Sequence, residues 1–188
     1  MQRWILASQS PRRRELLARF GHPFDVIPSE AEEKITTADA KCAVEELSCQ
    51  KAGWVLERAQ DGDVVIGSDT VVVLEGEILG KPKDEKDAFR MLSELQGRTH
   101  EVLTGVTVAV KGGPLVTFHE ETEVHVAPMS EAEIYQYIAT GEPMDKAGAY
   151  GIQGAFGPFI TGITGDYYNV VGLPLNHLYR VLKEGGLL

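Results

Sequence analysis

Cysteine is scarce in this chain: Cys42 and Cys49 are the only two in 188 residues. That excludes a disulfide framework. Seven positions apart on one helix, at about 1.5 Å rise per residue, their Cα atoms stand roughly 10 Å apart, beyond disulfide reach. No CxxC and no histidine at ligand spacing accompanies them, which argues against zinc or redox chemistry, and free thiols fit a reducing compartment. Long apolar runs are missing too. Nothing approaches the roughly 18–20 residues of a membrane span, and the opening MQRWILASQSPRRR has a short apolar stretch followed by three arginines, unlike a signal peptide. The expectation is a soluble, cytoplasmic protein with no membrane partner.

Positive charge is also in deficit. Lys and Arg number 18 against 28 Asp and Glu, a net of −10, which argues against a nucleic-acid binder because phosphate backbones select basic surfaces. The little basic charge present is concentrated. The first 19 residues hold five arginines and one glutamate, a net of +4, which leaves −14 for the rest. A small anion in a local basic pocket stays compatible with such a chain. With 43% hydrophobic residues there is enough apolar material for a sizeable core, and residues 1–188 suit a single domain or two lobes sharing a core.

Hydrophobic spacing and breaker residues place the elements. Residues 4–7 and 24–27 read as short strands. Between them a helix starts at Ser10-Pro11 and runs to about residue 20, ended by Gly21. A helix over 38–59 carries Val44, Leu47, Lys51 and Val55 at helical spacing and stops at Asp61-Gly62-Asp63. Two strands, 64–67 and 71–74, flank Ser68-Asp69-Thr70, and Glu75-Gly76-Glu77 turns back into 78–79. After a helix over 84–95 comes a hairpin of 99–110 and 115–127 around Gly112-Gly113-Pro114. Its second arm puts Val116, Phe118, Val124 and Val126 on one face and Thr117, His119, Glu121, Glu123 and His125 on the other. Ser130 and Glu133 form a capping box for a helix ending at Gly141, and 174–184 is a last helix ended by Gly185. Eight of the 20 glycines fall in 141–172, so that stretch is expected to be loop rather than regular core. Helices mixed with parallel and antiparallel strands indicate an α/β or α+β domain.

Four groups of residues can carry chemistry. Arg12, Arg13 and Arg14 in a helix's first turn oppose its dipole unless an anion sits there, and Ser8 and Ser10 add hydroxyls suited to phosphate. Surface arginines paired with an acidic surface are the competing reading. Asp69 lies between apolar strand segments, where aspartate is disfavoured. It can hold a divalent cation or activate water, or it can be a turn aspartate bonding its own backbone. Lys51 on the apolar side of its helix and Lys81 before Pro82 can each reach a polyphosphate, although a lysine such as Lys51 more often snorkels. Glu33 is a possible metal ligand within an acidic run that spacing alone reads as solvated. In 145–154, which is neither a P-loop nor a dinucleotide-binding fingerprint, glycines flank Ile152-Gln153 and allow an amide to approach a planar ligand.

Together these segments resemble the Maf family of nucleoside triphosphate pyrophosphatases, also called septum formation inhibitor-like proteins. The matching pieces are LASQSPRRRELL at 6–17, Glu33, Lys51-Ala52, IGSDTVVV at 66–73, Gly80-Lys81-Pro82, DKAGAYGIQG at 145–154 and GDYYNVVGLPL at 165–175. They occur in the family's order across nearly the whole chain. The resemblance implies an α/β fold, an elongated mixed sheet with flanking helices and two lobes around a cleft, similar to the inosine triphosphate pyrophosphatases. It implies cleavage between the α- and β-phosphates to a nucleoside monophosphate and pyrophosphate, with a divalent cation, Mg²⁺ or Mn²⁺. Asp69 matches the acceptor of the attacking water's proton, and with Glu33 it matches the metal position. Ser8, Arg12, Arg13, Lys51 and Lys81 match the phosphate site.

Arg13, Thr70 and Gln153 match the branch similar to dTTP and UTP hydrolases. The 7-methyl-GTP branch would carry glutamine at position 70 and glutamate at 153. A small-molecule nucleotide is the expected partner; a homodimer is the expected assembly, although no residue pattern in the sequence fixes the oligomeric state. The rival reading is a nucleotide-binding regulator of cell division with little turnover, which retention of Asp69 beside Lys51 and Lys81 disfavours.

Overall fold

A computed structural model describes residues 2–188 of the chain. Its contacts divide the protein into two compact units, one built from residues up to 69, 104–120 and 172–188, the other from 70–103 and 121–171.

The first unit starts with β1 (Trp4–Leu6), wholly buried, which pairs in parallel with β2 (Phe24–Val26) on one side and the start of β3 (Val64–Leu74) on the other. A parallel strand covered on both faces needs an unbroken apolar run, which Trp-Ile-Leu provides. Between β1 and β2 runs α1 (Pro11–Ala18), with Ser10 as N-cap and Pro11 at its first position. Between β2 and β3 runs α2 (Ala40–Leu56), capped by the Asp39 side chain on the Lys41 N–H. Ala43, Val44, Leu47, Ala52 and Val55 of α2 are buried, the apolar face expected from the helical spacing. The helix seats on two glycines. A Cβ at Gly67 of β3 would lie 2.5 Å from the Ser48 carbonyl oxygen, and one at Gly105 would lie 2.1 Å from that of Val44.

The second unit takes up β3 at Thr70 and turns it into β4 (Glu77–Leu79) through Glu75 (φ 50°) and Gly76 (φ 84°). Two consecutive left-handed residues of this kind make the tight turn that matches strand twist. Then come α3 (Glu85–Leu95), the long strands β5 (Thr99–Val110) and β6 (Leu115–Val126), whose stretch 104–120 belongs to the first unit, and α4 (Glu131–Ile138), which carries the expected capping box between Ser130 and Glu133. The strands join in the order β2-β1-β3-β5-β6-β7, with β4 on β3.

Three expectations need correction. The 64–67 and 71–74 segments are one strand: Gly67 leaves room for α2, Ser68 is buried and bonded, and Asp69 is paired, so nothing breaks the ladder. The glycine-rich stretch 141–172 contains β7 (Ile160–Thr164), antiparallel to β6, and α5 (Tyr167–Val171), because its aromatic and branched residues pack on the second core. Val116 is exposed, although Phe118, Val124 and Val126 of the same face are buried. The C-terminal helix α6 (Leu175–Glu184) follows Pro174 as expected.

In the second core His100 is 2% exposed, its Nε2 is 2.6 Å from the Tyr150 hydroxyl, and its Nδ1 has no partner among the described residues. Burial, aided by nearby His125, lowers its pKa to about 4. An unfolded chain's histidine protonates near pH 6.5, so between about pH 6.5 and 4 the unfolded state binds more protons and stability falls as pH falls. Denaturant unfolding at pH 7 and pH 4 therefore shows wild type losing roughly 3 kcal/mol more than His100→Gln does over that interval. Equal losses in the two proteins would mean that the imidazole protonates freely in the fold.

Candidate functional site

In β3 all positions are buried except Asp69 and Thr70, which are half-buried. Strand side chains alternate between faces, so Gly67 and Asp69 share one face and Ser68 and Thr70 the other. The glycine brings α2 onto the face from which Asp69 projects. Lys51 of α2 then donates from Nζ to Asp69 Oδ1, and the same ammonium lies 3.1 Å from Glu33 Oε1, on the connection between β2 and α2. Lys51 and Asp69 are mostly buried, at 15% and 13% side-chain exposure, whereas Glu33 is open to solvent at 55%. Lys51 is thus a bridging cation between two carboxylates rather than a snorkelling lysine.

The first turn of α1 stands beside this cluster. Arg13 donates from Nε to the Gly172 carbonyl oxygen at 2.9 Å and from Nη1 to Ser8 Oγ at 3.3 Å. Lost hydration lowers the guanidinium's pKa, while the Asp69 and Glu33 carboxylates oppose that shift. Ser8 is buried, and its Oγ also accepts from the Ser10 N–H at 3.2 Å. Arg12 is half-buried one position earlier on the same turn, which has no acidic residue. Of the residues singled out in the sequence, Ser8, Arg13, Glu33, Lys51 and Asp69 thus gather in the first unit, with Arg12 on the adjoining turn.

Thr70, Lys81 and Gln153 belong to the second unit. Lys81 is exposed between β4 and α3, and Gln153 is exposed on the turn after 147–149. A hydrogen bond of 3.1 Å from the Gly148 N–H to the Gly80 carbonyl ties the Lys81 and Gln153 segments together.

Sequence reading gave no role to Ser68. Its hydroxyl donates at 3.1 Å to the same Gly172 carbonyl that receives Arg13, so this one oxygen joins β3 to α1. Nor did it single out Gly67, whose importance lies in what it lacks. The clue available was a small residue two positions before an acid in an apolar strand.

Glu33 and Asp69 are hard oxygen donors that converge on one cation, which suits Mg²⁺, an ion usually held by one or two carboxylates with waters and phosphate oxygens filling its shell. No group of three or more His, Cys, Asp or Glu side chains is placed to hold a metal among the described residues, so the protein would supply no more than part of such a shell.

A family model described as Maf-like protein matches residues 3–185. The chain belongs to the Maf family. This Maf protein is 51% identical over 187 residues to the dTTP/UTP pyrophosphatase of Symbiobacterium thermophilum, covering 99% of this chain and 95% of that one. It is 49% identical over 181 residues to the dTTP/UTP pyrophosphatase of Thermococcus gammatolerans, covering 96% of each. Among solved structures, a HAM1 protein from Coxiella burnetii aligns with a TM-score of 0.57 at 16% identity over 98% of this chain and all of that one. The Staphylococcus aureus Ham1 protein aligns at 0.56 and 14% identity with the same coverage. These two share the fold, the mixed α/β sheet with flanking helices that the family resemblance implied.

The seating of α2 gives a stability test. Gly67→Ala lowers the unfolding free energy by about 2 kcal/mol, since its Cβ meets helix backbone that must shift. Gly53→Ala, in the same helix with nothing within 4 Å, raises it by about 0.5–1 kcal/mol. Denaturant unfolding of both variants measures the contrast, and a Gly67→Ala protein as stable as wild type would refute it.

Proposed function

We propose that this Maf protein hydrolyses dTTP and UTP to the nucleoside monophosphate and pyrophosphate, with residues 1–188 acting as one catalytic domain. The reading is carried by Asp69, a half-buried carboxylate on an otherwise buried strand, held by Lys51 and turned to the side that α2 and Glu33 occupy. The substrate class is supported by the names of the relatives.

In this reading the start of α1, with Ser8, Arg12 and Arg13, receives the triphosphate. Free helix N–H groups, a hydroxyl and guanidinium forks all favour oxyanions. Lys51 and Lys81 add charge along the phosphates. Asp69 accepts a proton from water as the new O–P bond forms and the bridging bond between the α- and β-phosphates breaks, releasing pyrophosphate. Lys51 holds the carboxylate in one orientation for that transfer. Glu33 and Asp69 would hold the divalent cation, Mg²⁺ or Mn²⁺, which when bound neutralises charge on the phosphate oxygens. Gln153, with Thr70, reads the base: a primary amide offers both a donor and an acceptor, matching the imide edge of thymine or uracil.

Purified protein with Mg²⁺ or Mn²⁺ is expected to release pyrophosphate from dTTP and UTP. Orthophosphate as the product, or no turnover with either metal, contradicts the reading. Asp69→Asn lowers kcat by about 10²–10⁴-fold while nucleotide binding by calorimetry persists. Near-normal turnover in that variant removes Asp69 from the role.

A further inference from the structure

Gln153 stands on a turn whose two ends are held by one pair of side chains. On one side the Gly151 N–H donates to the Tyr137 hydroxyl oxygen at 3.2 Å. That hydroxyl donates in turn to Glu142 Oε1 at 2.8 Å. On the other side the Ala155 N–H donates to Glu142 Oε2 at 3.0 Å. The backbone closes the turn with a 3.2 Å bond from the Gly154 N–H to the Gly151 carbonyl. The fit is tight, since a Cβ at Gly154 would fall 2.2 Å from a Glu142 carboxylate oxygen. Each carboxylate oxygen thus has its own donor, and only Ile152 and Gln153 project between the two anchored amides.

The clamp itself is anchored. Tyr137 is 3% exposed on α4, and its ring lies 5.0 Å from that of Phe156 in the second core. Burial, together with the Glu142 hydrogen bond, pushes the phenol pKa upward, so the hydroxyl stays a donor. Glu142 follows the left-handed Gly141 (φ 75°) at the end of α4, and its carbonyl accepts from Lys146 Nζ at 2.9 Å. Just before the turn, buried Ala149 is left-handed (φ 62°), and Gly148 has no room for a side chain against Val72. A non-glycine residue in that region costs energy and persists only where its surroundings determine it. A turn fixed at both ends in this way is built for one geometry, while the residue at its tip stays exposed.

We infer that Tyr137 and Glu142 are positioning residues for base recognition, holding the 151–155 turn so that the Gln153 amide meets the pyrimidine edge without reorganisation. This rests on the reading that Gln153 contacts the base. Preorganisation matters because a hydrogen-bonding group displaced by about 1 Å loses most of its discrimination. The pair touches neither base nor phosphate in this account. Its loss therefore changes the choice between nucleotides that carry the same triphosphate.

The test is the ratio of kcat/KM for UTP to that for N3-methyl-UTP, whose imide N–H is blocked, measured for wild type, Gln153→Ala, Tyr137→Phe, Glu142→Gln and each clamp variant combined with Gln153→Ala. A general loss of folded enzyme cancels in this ratio. Tyr137→Phe keeps the ring in the core and Glu142→Gln keeps the side chain's shape, so either one suffices should the other fail to fold. The expected result is a ratio about tenfold lower in Gln153→Ala and in each clamp variant, with no further fall in the combinations. A wild-type ratio in Gln153→Ala would mean that the base-reading assignment is wrong and this inference with it. A lowered ratio in Gln153→Ala with wild-type ratios in both clamp variants overturns the positioning role alone. So does a further fall in the combinations.

Discussion

The first unit depends on one close approach, that of α2 to β3 at Gly67. Any side chain there would meet the helix backbone at Ser48 and Ala52. With the glycine in place, the helix residue just before Ala52 reaches the strand residue two positions beyond Gly67 on the same face. The Lys51–Asp69 pair is the outcome. Burying two charges together seldom stabilises a fold, because their lost hydration offsets the attraction. The pair is therefore better explained by what it does to the Asp69 carboxylate than by stability. Glu33, which shares the ammonium, and Arg13, whose guanidinium is influenced by both acids, join the same electrostatic cluster. The Gly172 carbonyl then ties α1 to β3 through Arg13 and Ser68.

The second unit meets its requirement by different means. Where the first concentrates charge, the second holds a neutral amide at the tip of a turn fixed by a phenol and a carboxylate, on a core of α3, α4 and the 147–159 segment. The units divide within β3 at the step from Asp69 to Thr70, the two positions at which that strand is not fully buried. Alternation sends these neighbouring side chains to opposite faces. One residue step thus separates the proposed water-activating residue from the proposed base-selecting one.

Local signals were legible wherever the physics is local. The Ser130–Glu133 capping box, the Ser10-Pro11 helix start, the buried face of α2 and the two long arms around Gly112 follow from spacing and cap chemistry over a few residues. The concentration of arginine before residue 20 is equally local, and its reading as an anion site belongs to the proposed function. Features set by distant partners were not legible. Lys51 looked like a snorkelling lysine and Glu33 like part of a solvated run, because their shared contact joins α2 to a connection 18 residues earlier in the chain. The break expected at Asp69 came from strand propensity, which packing by α2 and Lys51 overrides. Glycine counting misjudged 141–172 because the residues between the glycines are aromatic and branched enough to form β7 and α5. The Tyr137–Glu142 clamp left no trace in spacing, since Tyr137 reads only as a core position of α4.

The central claim is that Lys51 and Asp69 act as one unit in the reaction, and a double-mutant cycle on UTP turnover tests it most directly. Residues that act as a unit are strongly non-additive. The account predicts that the Lys51→Met, Asp69→Asn double variant loses less kcat than the two single losses multiplied together, because the lysine has no carboxylate left to orient and only its charge toward the phosphates remains to be lost. Losses that multiply in the double variant would contradict it and show that the two side chains serve the reaction independently.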